Sequence, residues 1–220
     1  MLNYEVDPGI LKSFVPRGTE LGAWHGKTYV SMVGFLFLKT KVRGMAIPFH
    51  QNFEEINLRF YVKRLGADGW QRGVVFIKEI VPRFAIATIA RLFYNENYIA
   101  MPTKHTLETS VEGLMAEYAW RFKGRWNRLM VKTAGSAGLV EAGSLEEFIT
   151  EHYWGYAVQK NGGCVEYKVE HPPWLIWQTR EVVFDCDVEG LYGGQFAEFL
   201  RTKPSSAFLA EGSPVMVYRG

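Results

Sequence analysis

Four glycine-bearing turns, each set between strand-like runs, constrain this chain more than any other feature. Glycine, or Asn or Asp beside it, accepts the positive φ that tight hairpins need. Trp24-His25-Gly26-Lys27 joins a short strand to residues 28–38, and Asp68-Gly69 joins residues 57–64 to 72–81. Lys123-Gly124 joins residues 117–122 to 125–133, and Asn161-Gly162 joins 154–160 to 164–171. The pattern predicts an antiparallel meander. The longest apolar run, residues 29–38 (YVSMVGFLFL), is about half of the roughly 20 residues a helix needs to cross a bilayer. It reads as a buried strand, so no membrane anchor is expected.

Helical signals are fewer. Asp7-Pro8 ahead of Ile10, Leu11 and Phe14 predicts a short helix with Asp7 as N-cap. Ser144 and Glu147 have capping-box spacing and predict a helix over 145–152, and another is expected over 194–201. Residues 82–94 (PRFAIATIARLFY) form an apolar helix pattern with almost no polar side. At about 12 residues and 1.5 Å per residue it is too short for a membrane, so it should be enclosed by protein. A helix enclosed by hairpins suggests a curved sheet or barrel. No linker or repeat interrupts the pattern, so residues 1–220 are expected to form a single domain; residues 134–143 (AGSAGLVEAG) read as a flexible loop.

Composition narrows function by exclusion. Twenty-five Lys and Arg against 23 Asp and Glu leave a net charge of +2, too little for a dedicated nucleic-acid partner. Cys164 and Cys186 cannot make a disulfide framework or a four-ligand metal site; with no secretory signal at the start, a cytoplasmic protein with reduced thiols is expected. Neither G-x-G-x-x-G nor G-x-x-x-x-G-K-[ST] occurs, and the five histidines are scattered, so no nucleotide cofactor or metal is expected. Cys186 between Asp185 and Asp187 is a poor nucleophile, because neighbouring carboxylates raise a thiol pKa.

Residues 53–62 (FEEINLRFYV) carry the main chemical signal. A period of two puts Glu55, Asn57, Arg59 and Tyr61 on one face and Ile56, Leu58, Phe60 and Val62 on the other. The polar row is either a solvated sheet face or the lining of a cavity. In a cavity, Arg59 would clamp a carboxylate, and Glu55 would pair with it or act as general base. In the next strand Lys78 and Glu79 face oppositely, so only one can join the row.

Several strings then become informative together: VPRGTE at 15–20, IPFHQNFEEINLRFYV at 47–62, GVVFIKEIVPR at 73–83 and ARLFYNENY at 90–98. They resemble the uncharacterised YqjF-like family over residues 4–218, and through it the acetoacetate decarboxylase-like superfamily. That resemblance implies an α+β, mainly β fold: a curved, highly antiparallel sheet or barrel around an internal pocket, with a few short helices. The decarboxylases carry R-E-I-Y-G-F-P-K-K, whose first lysine forms a Schiff base while the second lowers its pKa. Here Arg91 and Tyr94 match, but the remainder reads Asn95-Glu96-Asn97-Tyr98-Ile99. Both lysines are missing from the motif, so the resemblance does not carry the Schiff-base mechanism to these positions.

Three expectations follow. The first is binding of a small organic molecule, a carboxylate among the candidates, in an internal pocket lined by Asn57, Arg59, Tyr61, Arg91, Tyr94 and Tyr98. The second is a Schiff-base-independent lyase or hydrolase with Glu55 or Glu79 as acid or base. The third is a non-catalytic protein with a filled barrel that acts through its surface.

Overall fold

The computed structural model describes residues 1–42, 45–46, 51–82, 97–159 and 163–219. The helix expected over 82–94 lies, from Arg83 onward, outside the described residues, and with it Arg91 and Tyr94; Asn161 and Gly162 lie outside them too. The strands of the first half are Leu2–Val6 (β1), Glu20–Leu21 (β2), Thr28–Phe37 (β3), Lys41–Val42 (β4), Met45–Ala46 (β5), Phe53–Gly66 (β6), Gly69–Val81 (β7) and Tyr98–Ala100 (β8). Those of the second half are Thr103–Ser110 (β9), Gly113–Phe122 (β10), Arg125–Gly138 (β11), Trp154–Val158 (β12), Cys164–Glu170 (β13), Ile176–Asp185 (β14), Ser206–Ala210 (β15) and Met216–Arg219 (β16). Four short helices accompany them among the described residues: Pro8–Leu11 (α1), Leu145–Thr150 (α2), Val188–Tyr192 (α3) and Gly194–Leu200 (α4).

Local chemistry accounts for most of these elements. Gly69 at φ 114° closes β6 on β7, and Lys123 and Gly124, both at positive φ, close β10 on β11. The Trp24–Lys27 turn closes only on its own bridge, because β2 pairs with β6 instead. Asp7 caps α1 by accepting from the Gly9 N–H, and Ser144 Oγ accepts from the Glu147 N–H at 3.1 Å to start α2. Asp187 caps α3, a helix the apolar spacing did not announce. Residues 134–138, expected as loop, instead extend β11 along β14 with a register shift between Ala134 and Gly138. Their small side chains leave the backbone free to bulge while staying paired.

Fourteen strands form one curved, mixed sheet in the order β16-β13-β12-β7-β6-β3-β1-β15-β14-β11-β10-β9, with β2 added to β6 and β8 to β7. The sheet is not closed as a barrel, since β16 and β9 remain its edges. Instead it folds over itself. Gly34 of β3 meets Tyr118 of β10 so closely that a Cβ there would lie 2.7 Å from the ring. Leu2, Met32, Leu58, Phe60 and Trp120, all fully buried, fill the fold, and Leu191, Phe196 and Leu200 of α3 and α4 pack into the same core. On the other side of β6, Tyr61 joins a second core with Tyr29, Val74, Phe148 and Ile149 under α2. Both faces of β6 are therefore covered, so its polar row is not the solvated face that alternation alone permits.

Candidate functional site: the buried polar row of β6

Register puts the row together. Across β6 and β7, Asn57 lies opposite Glu79, and Glu79 lies beside Tyr98 of the parallel strand β8. Asn57 Nδ2 donates to Glu55 Oε1 at 3.0 Å, and the Tyr98 hydroxyl donates to Glu55 Oε2 at 3.1 Å. Glu55 and Glu79 are each 1% exposed, and Asn57 is completely buried. Carboxylates at this depth are rare unless paired or hydrogen-bonded, because burial removes their hydration. Glu55, Asn57 and Glu79, with the partly buried Tyr98, thus form one polar cluster; the alternation anticipated Glu55 and Asn57, while it leaves the choice between Lys78 and Glu79 open.

Arg59 and Tyr61 continue the row toward α2. Arg59 has its guanidinium 5.8 Å from the Tyr61 ring centre and reaches the Ile149 carbonyl at 3.5 Å; among the described residues its Nε has no partner. Tyr61 is committed elsewhere. Its hydroxyl meets Ser31 Oγ, which donates to Asn3 Oδ1 at 2.6 Å, and Asn3 Nδ2 donates to Ser206 Oγ at 2.9 Å. This chain ties β1, β3, β6 and β15 together, so the Tyr61 hydroxyl serves the scaffold.

A bulge decides which neighbour on β7 joins the row. Leu58 pairs with Lys78 and Arg59 with Phe76, leaving Ile77 as the extra residue. Glu79 accordingly shares the face of Asn57, while Lys78 points to the core side. There its ammonium donates to the Leu191 carbonyl and lies 5.6 Å from the Tyr192 ring centre. Burial lowers the Lys78 pKa.

Residues that sequence reasoning passed over gather at the Tyr61 end. His152 is 7% exposed, lies 4.6 Å from the Tyr61 ring and meets Phe148 edge-on at 5.4 Å. Burial, then Arg72 and Arg59, hold its pKa well below the ordinary histidine value, against a backbone hydrogen bond at Ile149, so the ring is neutral near pH 7. Beside it is a cleft of about 250 Å³ lined by Trp24, Lys63, Arg72, Glu147 and Phe148. A lone histidine after a short helix carries no spacing that would have revealed this. Farther along β6, Glu54 accepts from Thr103 Oγ1 at 2.8 Å and meets His105 Nδ1 at 2.6 Å. Burial would raise the Glu54 pKa, but the His105 and Thr103 contacts bring it below the usual value. Among the described residues no three His, Cys, Asp or Glu side chains are grouped to hold a metal. Burial, then Asp187, push the Cys186 thiol to about 12, with Arg125 opposing and Asp185 adding, the direction its flanking carboxylates led one to expect.

An open curved sheet with short helices and this mixed topology is the acetoacetate decarboxylase-like fold. Solved structures of that class align over nearly the whole chain. The enduracididine biosynthesis enzyme MppR complexed with pyruvate aligns with a TM-score of 0.62 at 15% identity, covering 99% of this chain and 82% of that one. An acetoacetate decarboxylase-like enzyme from Sphingomonas wittichii RW1 gives 0.62 at 12% identity, covering 99% and 86%. At these identities the likeness defines the fold alone. Within that class, the chain belongs to the DUF2071 family, described as "Uncharacterized conserved protein", whose model matches residues 1–214. The "Uncharacterized protein YqjF" of Bacillus subtilis (strain 168) is 26% identical over 196 residues, 87% of this chain and 77% of that protein.

Proposed function

We propose that this protein binds a small organic molecule, a carboxylate, against the polar row of β6, in a cytoplasmic setting that suits its two free cysteines. The observation that carries the reading is a sheet strand buried on both faces that nevertheless keeps Glu55, Asn57 and Arg59 in line. Asn57 Oδ1 and Arg59 Nε have no partner among the described residues. A buried polar atom left so costs on the order of 1–3 kcal/mol; a ligand carboxylate accepting from Arg59 Nε offsets that cost on the donor side, while the Asn57 Oδ1 acceptor needs a hydroxyl or other donor on the same molecule. Arg59 supplies the positive charge, while Asn57 Nδ2 and the Tyr98 hydroxyl hold the two oxygens of Glu55. MppR, a protein of the same fold, is described in complex with pyruvate, which supports a small acid as the ligand class.

Binding proceeds without an imine in this reading, since the motif that resembles the decarboxylase segment carries no lysine at the Schiff-base positions. Borohydride treatment with pyruvate or acetoacetate, followed by intact-mass measurement, is expected to leave the protein unmodified. An adduct on any lysine overturns this part; Lys78, whose amine is half-buried on the core side, is the residue to map first.

A Schiff-base-independent lyase or hydrolase is favoured by one observation: Glu55 and Glu79 are buried on one face of neighbouring strands. Two carboxylates on one buried face are the groups that general acid–base catalysis would use. If Glu55→Gln and Glu79→Gln each leave the turnover of an identified reaction unchanged, the acid–base role is wrong. The filled apolar core between β3, β6 and β10 favours instead a non-catalytic protein acting through its surface, and complete absence of small-molecule binding would select it.

A further inference from the structure

Two guanidiniums converge on the end of α2 without a carboxylate to meet them. Arg59 of β6 and Arg72 of β7 are both half-buried, and neither has an acidic partner within salt-bridge distance among the described residues. Among the described residues each hydrogen-bonds a backbone carbonyl, Arg59 that of Ile149 at 3.5 Å and Arg72 that of Phe148 at 3.1 Å, and each lies over a ring, Arg59 5.8 Å from the Tyr61 centre and Arg72 5.5 Å from that of Phe148. Exposed Arg17 and Arg121 also have no acid partner, but water solvates them. A half-buried guanidinium has five N–H groups to satisfy and much less water to do so. Burial first, and then the charges of Arg72 and Arg59, keep His152 neutral.

The cleft beside them has the shape and walls for a ligand that would balance this charge. Trp24 and Phe148 form aromatic walls, Arg72 lines the interior, and Lys63 lines it too, 3.6 Å from Glu20. Glu147 is the opposing charge; its Oε2 is held by the Gly143 N–H at 2.7 Å. The Trp24 indole N–H is already given to the Gly143 carbonyl at 3.0 Å, which fixes the ring as a wall rather than a donor. At about 250 Å³ the cleft is smaller than the roughly 300–1,000 Å³ of sites for drug-sized ligands, so it suits a small acid.

We propose that this cleft is a carboxylate site in which Arg72 grips the anion, Lys63 adds charge beside it, and Trp24 and Phe148 border an apolar body. The inference rests on the reading that the protein binds a small organic acid, and it names the subsite and the ligand class. Tyr61 at the end of the polar row packs against the cleft's Phe148, the two ring centres 5.2 Å apart. An aromatic monocarboxylate is the matching class: its ring meets the aromatic side chains of the cleft while the guanidinium takes the carboxylate.

Benzoate is the probe, benzyl alcohol its uncharged comparator, and the readout is the Trp24 indole N–H signal of the full-length, nitrogen-15-labelled protein. Benzoate is expected to shift that signal saturably and benzyl alcohol to do so at least about tenfold more weakly, as loss of a charge-assisted contact requires. Arg72→Leu is expected to weaken benzoate by about ten- to a hundredfold, and Arg72→Lys to restore part of the loss. If Arg72→Leu does not fold, Lys63→Gln at an unchanged melting temperature must weaken benzoate measurably. Equal binding of benzyl alcohol overturns the carboxylate assignment. Benzoate that binds unaffected by Arg72→Leu and Lys63→Gln, and perturbs Asn57 and Tyr98 instead, overturns the cleft while leaving the polar-row reading standing. If no organic acid shifts any signal, both fall.

Discussion

His152 turns an ordinary side chain into a pH-dependent contribution to stability. Burial, then Arg72 and Arg59, hold its folded-state pKa well below the ordinary histidine value of 6.5, so the folded protein resists the proton that the unfolded chain accepts. Its contribution is therefore complete above about pH 6.5 and is lost as pH falls toward the folded value, at up to about 1.4 kcal/mol per pH unit. Urea denaturation of wild type and His152→Phe between pH 7 and pH 5 should show the variant losing less stability on acidification. Parallel curves would mean that His152 takes up its proton as readily in the fold as in the unfolded chain. Cys186 offers a second check. With its pKa raised to about 12 by burial first and then by Asp187, it should resist a thiol reagent at pH 8 in the native state and react once urea unfolds the chain. Rapid native labelling of Cys186 would contradict its placement.

Elements show where local sequence chemistry suffices and where packing takes over. The Asp68-Gly69 and Lys123-Gly124 turns, the Asp7 and Ser144 caps and the alternation of 53–62 were all legible because each acts within a few residues. Ser144→Ala should therefore cost about 1 kcal/mol in a urea titration, mostly by freeing the Glu147 N–H. Helix α3 had the same kind of cap in Asp187, with Gly190 N–H as donor, but at five residues it is too short for periodicity to expose. Two decisive features could not be read. The burial of Glu55 and Asn57 depends on α2 and the second core covering a face that alternation leaves open. The bulge at Ile77 shifts Phe76 onto the face of Arg59, and no composition signal marks it. Gly34 belongs to this class as well. Gly34→Val would force a side chain into the Tyr118 ring and should destabilise the protein by about 1–3 kcal/mol, read as a lower urea midpoint with an unchanged slope.

At the scale of the whole molecule, the fold class was legible through a resemblance spread along nearly the entire chain, and family membership over residues 1–214 agrees with it. Closure was not legible. Hairpins specify neighbours, whereas an open or closed sheet depends on whether strands distant in sequence, here β9 and β16, meet. What the sheet does achieve is a strand, β6, covered on both sides and carrying a polar row from Glu55 to Tyr61, next to a cationic cleft. Thermal unfolding of the full chain across a concentration series of small carboxylates, each beside its neutral amide, tests most directly that this arrangement serves an acid. The account predicts that at least one carboxylate raises the melting temperature progressively, by about 2.7 kcal/mol of stabilisation at a hundred times its dissociation constant, while its amide has much less effect. A melting temperature indifferent to every carboxylate, or moved equally by acid and amide, would contradict it.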